Sequence, residues 1–504
     1  MERDVQGLRI AELMADTGVA FGTSGVRGRV IDLTDRVCYA YTAAFLQHLE
    51  GCGETRPGGE VAVGGDLRPS TPRILAAVAR AVRDRGYAVL HCGFLPSPAL
   101  ALHGIRRGIP AIMVTGSHIP DDRNGIKYNK PSGEILKEDE AGIRAQAVRV
   151  PAGLFDAGGT LGAGAVDALG PAVPDALEGY AHRYLAAFAP GFLAGARVGL
   201  YEHSAVGRGV VGRILEGLGA RVTRLGFSEA FVPVDTEALR SEDVELARHW
   251  AAEGSFDALV STDGDSDRPL VADETGHWLR GDVAGILCAR FLGADVVVVP
   301  VSCNTAAERC GAFREVRRTR IGSPYVIEAM ERARAEGPGR VVGYEANGGF
   351  LIATPLEAGA GTLEALPTRD AVVVLLAVLG AARERGVPVS RLVAELPARF
   401  TWSARLQDFP TDTSRECLAT LTTGSLAEQK ARLQEAFGGH LGVPEAVDTT
   451  DGVRVTFASG EIVHLRPSGN APEFRCYTEA DSEERAAEVN RVCLEVMEGW
   501  RAKG

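Results

Sequence analysis

Apolar and polar positions along the chain follow two periods that take turns. Residues 61–63 form a short apolar run of the kind a buried strand makes. Thr71-Pro72 then supplies a cap and first-turn pair, and Ile74, Leu75, Val78, Ala81 and Val82 keep one helical face until Gly86. Strand character returns at residues 87–91 and again at Ala111–Val114, which ends in a polar loop. Residues 128–136 predict a hairpin about Pro131-Ser132-Gly133. Further strands are predicted near Val198, at 222–225, near Ala258, at 295–301 and at Val341-Val342. The longest apolar run, residues 371–382, stops at Arg383. It is too short to span a bilayer and predicts a buried helix. Val453–Phe457 and residues 462–465 alternate about Ser459-Gly460. A last helix, capped by Asp481 with Glu484, carries Val489, Val492, Cys493, Val496 and Trp500 on one face.

Strands alternating with helices predict α/β units, with a smaller mixed region at the end. The Gly- and Ala-rich stretch 151–170 reads as a connection between the first two units. Divisions are expected at 1–155, 156–275, 276–390 and 391–504. A chain of 504 residues has room for that many units at roughly 100–200 residues each. The formal charge of −12 disfavours nucleic acid and anionic lipid as partners, but leaves small phosphorylated ligands open. Nine scattered Cys without a CxxC pair fit a reducing compartment, and no signal peptide is visible, so a cytoplasmic location is expected.

Four polar loops carry chemistry. Thr115-Gly116-Ser117-His118-Ile119-Pro120 follows a strand directly and is closed by Asn124-Gly125-Ile126-Lys127. A Ser in such a turn is exposed to act as nucleophile or phosphate carrier, with His118 and Lys127 near enough in sequence to serve as acid, base or positive charge. Asp263-Gly264-Asp265-Ser266-Asp267-Arg268 also follows a strand. Its alternating Asp residues can aim three carboxylates at one point, which suits Mg²⁺. An EF-hand is excluded, because Arg268 stands where that loop needs Gly. In Gly343-Tyr344-Glu345-Ala346-Asn347-Gly348-Gly349-Phe350, a carboxylate and an amide alternate, a pairing that suits sugar hydroxyls. Arg466-Pro467-Ser468-Gly469-Asn470-Ala471-Pro472 with Arg475 has the makings of a phosphate cradle. The segment 21–28, which contains Arg27, offers a further anion contact. Gly207-Arg208-Gly209-Val210-Val211-Gly212 fits GxGxxG, but no acidic residue ends the next strand, so nicotinamide binding is not expected. Close packing of a helix on its strand is the expectation there.

In order and type these loops resemble the α-D-phosphohexomutase family, which includes phosphomannomutase, phosphoglucomutase and phosphoglucosamine mutase. TGSHIPDDRNGIK and DGDSDR are the most specific signals, and the resemblance runs from Phe21 to Arg475. It implies three related α/β domains with mixed sheets and a smaller α+β C-terminal domain around a central cleft. It also implies that Ser117 is the phosphoserine and that Asp263, Asp265 and Asp267 hold Mg²⁺ together with an oxygen of phosphorylated Ser117. Arg27, His118, Lys127 and Arg268 would line the catalytic centre. Glu345 and Asn347 would take the sugar hydroxyls, and Arg466, Ser468, Gly469, Asn470 and Arg475 the non-reacting phosphate. Arg320 and Ser323 fall in the place of a substrate-specificity loop, where some members carry His at the position of Ser323. Ser266 replaces a usual Gly, Ile119 a usual Asn, and GYEANGG and SGNAP depart from the commoner loops.

The activity implied is reversible phosphoryl transfer between O1 and O6 of a hexose through a 1,6-bisphosphate, with mannose phosphates as the expected substrate. Phosphoglucomutase or phosphoglucosamine mutase activity is the alternative. A Ser-dependent metal phosphatase, a non-catalytic sugar-phosphate sensor and a nicotinamide oxidoreductase are the rivals. Monomer and dimer are both open, as is the choice between Lys127 and His118 as base.

Overall fold

The structure, a computed structural model, describes residues 7–162, 169–468 and 472–501. Runs of β-branched and small apolar residues form the central strands of four larger sheets. The first sheet runs, in spatial order, Ala20–Phe21, Gly25–Arg29, Arg123–Lys130, Ala111–Val114, Glu60–Gly65 and Ala88–Phe94, with Gly133–Glu134 paired to Arg123–Lys130. The second runs Arg221–Phe227, Arg197–His203, Ala258–Thr262 and Pro269–Ala272. The third runs Glu315–Thr319, Val296–Pro300, Val341–Tyr344, Phe350–Ile352 and Leu366–Asp370. The fourth, wholly antiparallel, runs Phe400–Leu406, Phe474–Ala480, Ile462–Pro467, Val453–Phe457 and Pro444–Asp448. No helix among the described residues is long and apolar enough to cross a membrane.

The first three sheets repeat one topology that the sequence does not display. In each, three neighbouring strands are parallel, and the third of them in chain order turns back into an antiparallel strand. The serine loop, the three-Asp loop and the Glu345–Gly349 loop are that same turn in the three units. In the second and third units even the turn bonds match. Ser266 N–H donates to the Asp263 carbonyl at 3.1 Å and Gly348 N–H to the Glu345 carbonyl at 2.9 Å, and both donors sit at positive φ.

One continuous apolar core runs through the first three units. It joins Leu95 and Leu100, Leu200 and Ile214, and Val297 and Leu375. The apolar run at 371–382 is helix Val372–Arg385, buried from Val372 to Gly380. The fourth unit keeps a separate core of Phe409, Leu433, Phe437, Phe457 and Met497, to which no residue before Leu406 contributes. Polar contacts hold it to the rest. Glu479 accepts from the Thr305 backbone at 3.1 Å and from the Thr305 hydroxyl, and Asp451 accepts from the Ile321 backbone at 2.9 Å.

Three local expectations are corrected. Helix Thr71–Asp84 is preceded by Ser70, and the Thr71 hydroxyl donates to Asp66 at 2.7 Å instead of capping the helix. The hairpin about Pro131-Ser132-Gly133 exists, but its first strand begins at Arg123, which places Lys127 on a strand and not in a loop. The last helix, Glu483–Arg501, is capped by Ser482, whose hydroxyl accepts from Arg485 N–H at 3.1 Å, and not by Asp481.

Asp370 ties the second unit to the third. Its buried carboxylate accepts from Tyr180 at 2.7 Å and from the Tyr184 hydroxyl. Replacing both tyrosines by Phe leaves that carboxylate without these donors, at about 1–3 kcal/mol for the unsatisfied group. The expected outcome is a lowered Tm in thermal unfolding, with KM and kcat at 25 °C close to those of the parent protein.

Candidate active site

Arg68 and its surroundings mould the serine loop. Its fully buried guanidinium donates to the carbonyls of Ser117 at 2.8 Å, Ile119 at 2.5 Å, Pro120 at 2.7 Å and Arg123 at 3.0 Å. Asp66 holds it from behind at 3.1 Å. A Cβ on Gly116 would lie 2.6 Å from the Arg68 Cζ, so only glycine admits this cradle. Held in this way, Ser117 takes φ 56°, a strained value for a residue with a Cβ, of the kind that collects at functional sites.

The cradle aims the Ser117 hydroxyl at the second unit. Its Oγ donates to Asp263 Oδ2 at 2.7 Å and lies 3.3 Å from His118 Nδ1. Asp263, Asp265 and Asp267 are at most 1% exposed, and each offers an oxygen within 4.8 Å of the others. Lys127 lies between two of them, 2.5 Å from Asp265 Oδ2 and 2.6 Å from Asp267 Oδ2. Burial and the two neighbouring carboxylates push the Asp263 carboxyl well above its usual range. Burial opposes ionisation of Asp265 and Asp267 as well, but the Lys127 ammonium at the first and the Arg369 guanidinium at the second hold both below their usual range.

These residues fit a divalent cation. Asp265 Oδ1 and Asp267 Oδ1 are buried and receive no hydrogen bond, which is costly unless an ion takes them. The pressure that raises Asp263 is the repulsion a cation relieves. All three donors are hard oxygens, the set Mg²⁺ prefers.

A cavity of about 560 Å³ lies beside this cluster. Arg27, His118, Arg268, Glu345, Asn347, Arg369, Arg466, Ser468 and Arg475 all line it. Burial, with Arg268 and Arg369 alongside, lowers Arg27 to about 10, so it still carries its charge at neutral pH. Burial, then Arg268 and Arg27, hold the His118 imidazole well below its usual range, and it is neutral. Arg268 donates to His118 Nδ1 at 2.8 Å, which leaves the ring proton on Nε2, 4.0 Å from Asp235. Arg466 is braced by Asp451 at 2.9 Å and Arg475 by Glu473 at 3.2 Å. Glu345 Oε2 is held by Arg369 at 3.2 Å, and Asn347 Oδ1 caps Gly349 N–H at 2.9 Å.

Two expected residues stand apart. Arg320 is exposed and stacks over the Tyr325 ring at 5.5 Å; Tyr325 lines the cavity in its place. Ser323 is fully buried, and its hydroxyl donates to Glu134 at 2.7 Å, so it braces the first unit against the third instead of meeting a ligand. Gly469 and Asn470 lie outside the described residues. The GxGxxG segment has a mixed explanation. A Cβ on Gly207 would lie 2.6 Å from Ser266 Oγ, and one on Gly212 2.6 Å from Arg224, whereas Gly209 faces open space. The glycine at 207 thus makes room for the three-Asp loop and not for its own strand.

Sequence reasoning missed Arg68, Ser97, Asp235, Glu237, Arg369 and Tyr477. Only Arg369 left a signal: Arg369-Asp370 is a charged pair directly before the longest apolar run, where charge is costly without a partner.

Models of the phosphoglucomutase/phosphomannomutase family match the chain in four stretches. Alpha/beta/alpha domain I covers 18–151, domain II 182–276, domain III 280–400 and the C-terminal domain 422–495. The chain belongs to this family, and it is a phosphomutase, an isomerase. It is 43% identical to a phosphomannomutase of Sinorhizobium fredii, over 95% of this chain and 99% of that one. It is 42% identical to a phosphomannomutase of Salmonella muenchen, over 96% of each. Its fold is shared with a phosphoglucomutase/phosphomannomutase family protein of Burkholderia thailandensis, with a TM-score of 0.70 at 18% identity over 98% of both chains.

Ser266 sits at φ 57°, and its hydroxyl accepts from Gly207 N–H at 2.9 Å and from Thr262 at 2.8 Å. Ser266→Gly relieves the backbone and loses two hydrogen bonds, so turnover within about threefold of the parent is expected. Ser266→Val, β-branched at positive φ, is expected to cost at least about 1–3 kcal/mol of stability and most of the activity. Thermal unfolding and steady-state kinetics on the two variants check this.

Proposed function

We propose that the protein interconverts mannose 1-phosphate and mannose 6-phosphate, with Ser117 as the phosphoryl carrier. The observation that carries this reading is the Ser117 hydroxyl, 2.7 Å from Asp263, next to a cavity lined by its neighbours His118 and Arg268 together with Arg466 and Arg475. On this reading the carrier serine and a phosphate anchor serve one space of sugar-phosphate size. The two phosphomannomutases at 42–43% identity support mannose as the sugar.

On this reading Arg466, Ser468 and Arg475 grip the phosphate that is not reacting, together with Gly469 and Asn470. Glu345 and Asn347 orient the sugar ring. The free sugar hydroxyl attacks the phosphoryl group of Ser117, the P–O bond to Ser117 breaks, and a hexose 1,6-bisphosphate forms. After the bisphosphate turns over, Ser117 attacks its other phosphoryl group, and the isomeric monophosphate remains. Arg27 and Arg268 face the equatorial oxygens. The hydroxyl proton passes to His118 or to Lys127. His118 is neutral, but its Nδ1 is engaged by Arg268, and Lys127 is held by two carboxylates, so either needs a neighbour to shift first. Asp263, Asp265 and Asp267 would hold Mg²⁺, which supplies charge neutralisation for the transferring oxygens. The same reading divides the chain into four domains at 1–155, 156–275, 276–390 and 391–504.

Ser117→Ala is expected to abolish turnover, with at least a 10³-fold loss in kcat. The parent protein incubated with a hexose 1,6-bisphosphate should show a labile phosphoryl group on the peptide containing Ser117 by mass spectrometry. A coupled assay on the 1-phosphates of mannose, glucose and glucosamine should give the highest kcat/KM for mannose. Isomerisation must proceed without release of inorganic phosphate; stoichiometric release would replace this reading by hydrolysis. Arg475→Ala should raise KM about 10- to 100-fold, as loss of a charge-assisted phosphate contact does.

A further inference from the structure

The protein hydrogen-bonds four of the six carboxylate oxygens of the three-Asp loop and leaves two without a hydrogen bond. Asp263 Oδ1 accepts from the backbone N–H groups of Asp267 and Arg268, both at 3.2 Å. Asp265 Oδ2 accepts from Ser97 and Lys127, both at 2.5 Å. Asp267 Oδ2 accepts from Lys127 at 2.6 Å and from Arg369 Nε at 3.0 Å. The remaining atoms are Asp263 Oδ2, which receives the Ser117 hydroxyl, and Asp265 Oδ1 and Asp267 Oδ1, which receive no hydrogen bond, although Arg268 Nε lies 3.7 Å from the last.

Arg369 does this from the third unit. It stands on strand Leu366–Asp370, is 2% exposed, and also touches Glu345 at 3.2 Å, Ser323 at 3.4 Å and Ser24 at 3.3 Å. A Cβ on Gly349 would lie 2.6 Å from its Cγ, so the Glu345–Gly349 loop is shaped to let it through.

We infer that Arg369 and Ser97 are positioning residues that pin the outer oxygens of Asp267 and Asp265, so that the loop offers one oxygen per carboxylate and selects a small cation. Mg²⁺ demands compact octahedral geometry with single-oxygen ligands. Ca²⁺ accepts six to eight oxygens and readily takes both from one carboxylate. A carboxylate whose second oxygen already accepts hydrogen bonds from the protein must give those bonds up to offer both. This rests on the reading of the three-Asp loop as the metal site, but its test does not depend on turnover.

The test is calorimetric titration of the full-length protein with MgCl₂ and with CaCl₂ separately. In Arg369→Gln the ratio of Ca²⁺ to Mg²⁺ affinity should rise at least about fivefold over the parent. Ser97→Ala, which leaves Asp265 Oδ2 to Lys127 alone, should move it in the same direction by less, and it keeps the test open if Arg369→Gln fails to fold. Glu345→Gln touches Arg369 but not the loop, and should leave the ratio unchanged. Folded Arg369→Gln and Ser97→Ala proteins that both keep the parental ratio within twofold overturn the inference. A parent protein that takes up neither ion overturns the metal assignment beneath it. Retained turnover in Ser117→Ala would overturn the carrier reading and leave this result standing.

Discussion

Three carboxylates buried within 4.8 Å of one another set the terms for the rest of the molecule. Like charges at that spacing repel strongly in a low-dielectric interior, and burial adds a desolvation cost for each. The surrounding architecture reads as the set of groups that make the cluster tolerable. Lys127 arrives from the first sheet, Arg369 from the third, and the backbone N–H groups of residues 267 and 268 from the loop itself. Arg268 within the loop adds its charge 3.9 Å from Asp263 and 3.7 Å from Asp267, while Lys127 and Arg369 come from outside it, so docking of the first three units completes the neutralisation. One apolar cluster accordingly runs across the three units, beside further clusters that each unit keeps to itself.

The repeated turn explains how three different chemistries come to face one space. In each unit the polar loop is the point where a parallel strand hands over to an antiparallel one, at the carboxyl end of the parallel strands, where open α/β sheets place their ligands. Packing three such sheets with those ends inward brings a hydroxyl, a carboxylate cluster and the pair Glu345 and Asn347 together on loops of eight, six and five residues. Short loops between fixed strands hold their side chains more tightly than long ones, which suits a reaction governed by positioning.

Much of the site was legible because its chemistry is concentrated in short contiguous runs. Ser117-His118 and Asp263 to Arg268 can be read without knowing what lies opposite them. The residues that escaped reading act across the chain. Arg369 meets Asp267 from 102 positions away, and Ser97 meets Asp265 from 168. No local pattern encodes such a pair. Ser323 misled for the opposite reason: its place in the chain suggested a ligand contact, whereas a buried carboxylate from another sheet, Glu134, had claimed its hydroxyl. In the sequence Lys127 reads as part of Asn124-Gly125-Ile126-Lys127, the segment that closes the serine loop, yet Gly125 is needed for close strand approach. A Cβ there would lie 2.5 Å from the Val26 carbonyl. The alternation of strands and helices was legible throughout; the equivalence of the three units was not, since it resides in strand order and not in residue identity.

The division of the core bears on how one cleft could serve two ends of one sugar. A mutase that transfers to O1 and to O6 must hold the substrate in two orientations, so its anchor should recognise what the orientations share, the phosphate, and little of what they do not. Arg466 and Arg475 meet that requirement: each is braced by its own carboxylate, Asp451 or Glu473, and so holds its position without help from the sugar. The anchor stands on the fourth unit, whose apolar core is its own and whose ties to the other three are polar. Polar seams open at lower cost than apolar ones, because water can replace the lost hydrogen bonds. A rigid floor that keeps Ser117 and the carboxylates in register, beneath an anchor able to withdraw and return, lets a bisphosphate turn over without disturbing the groups that must receive it.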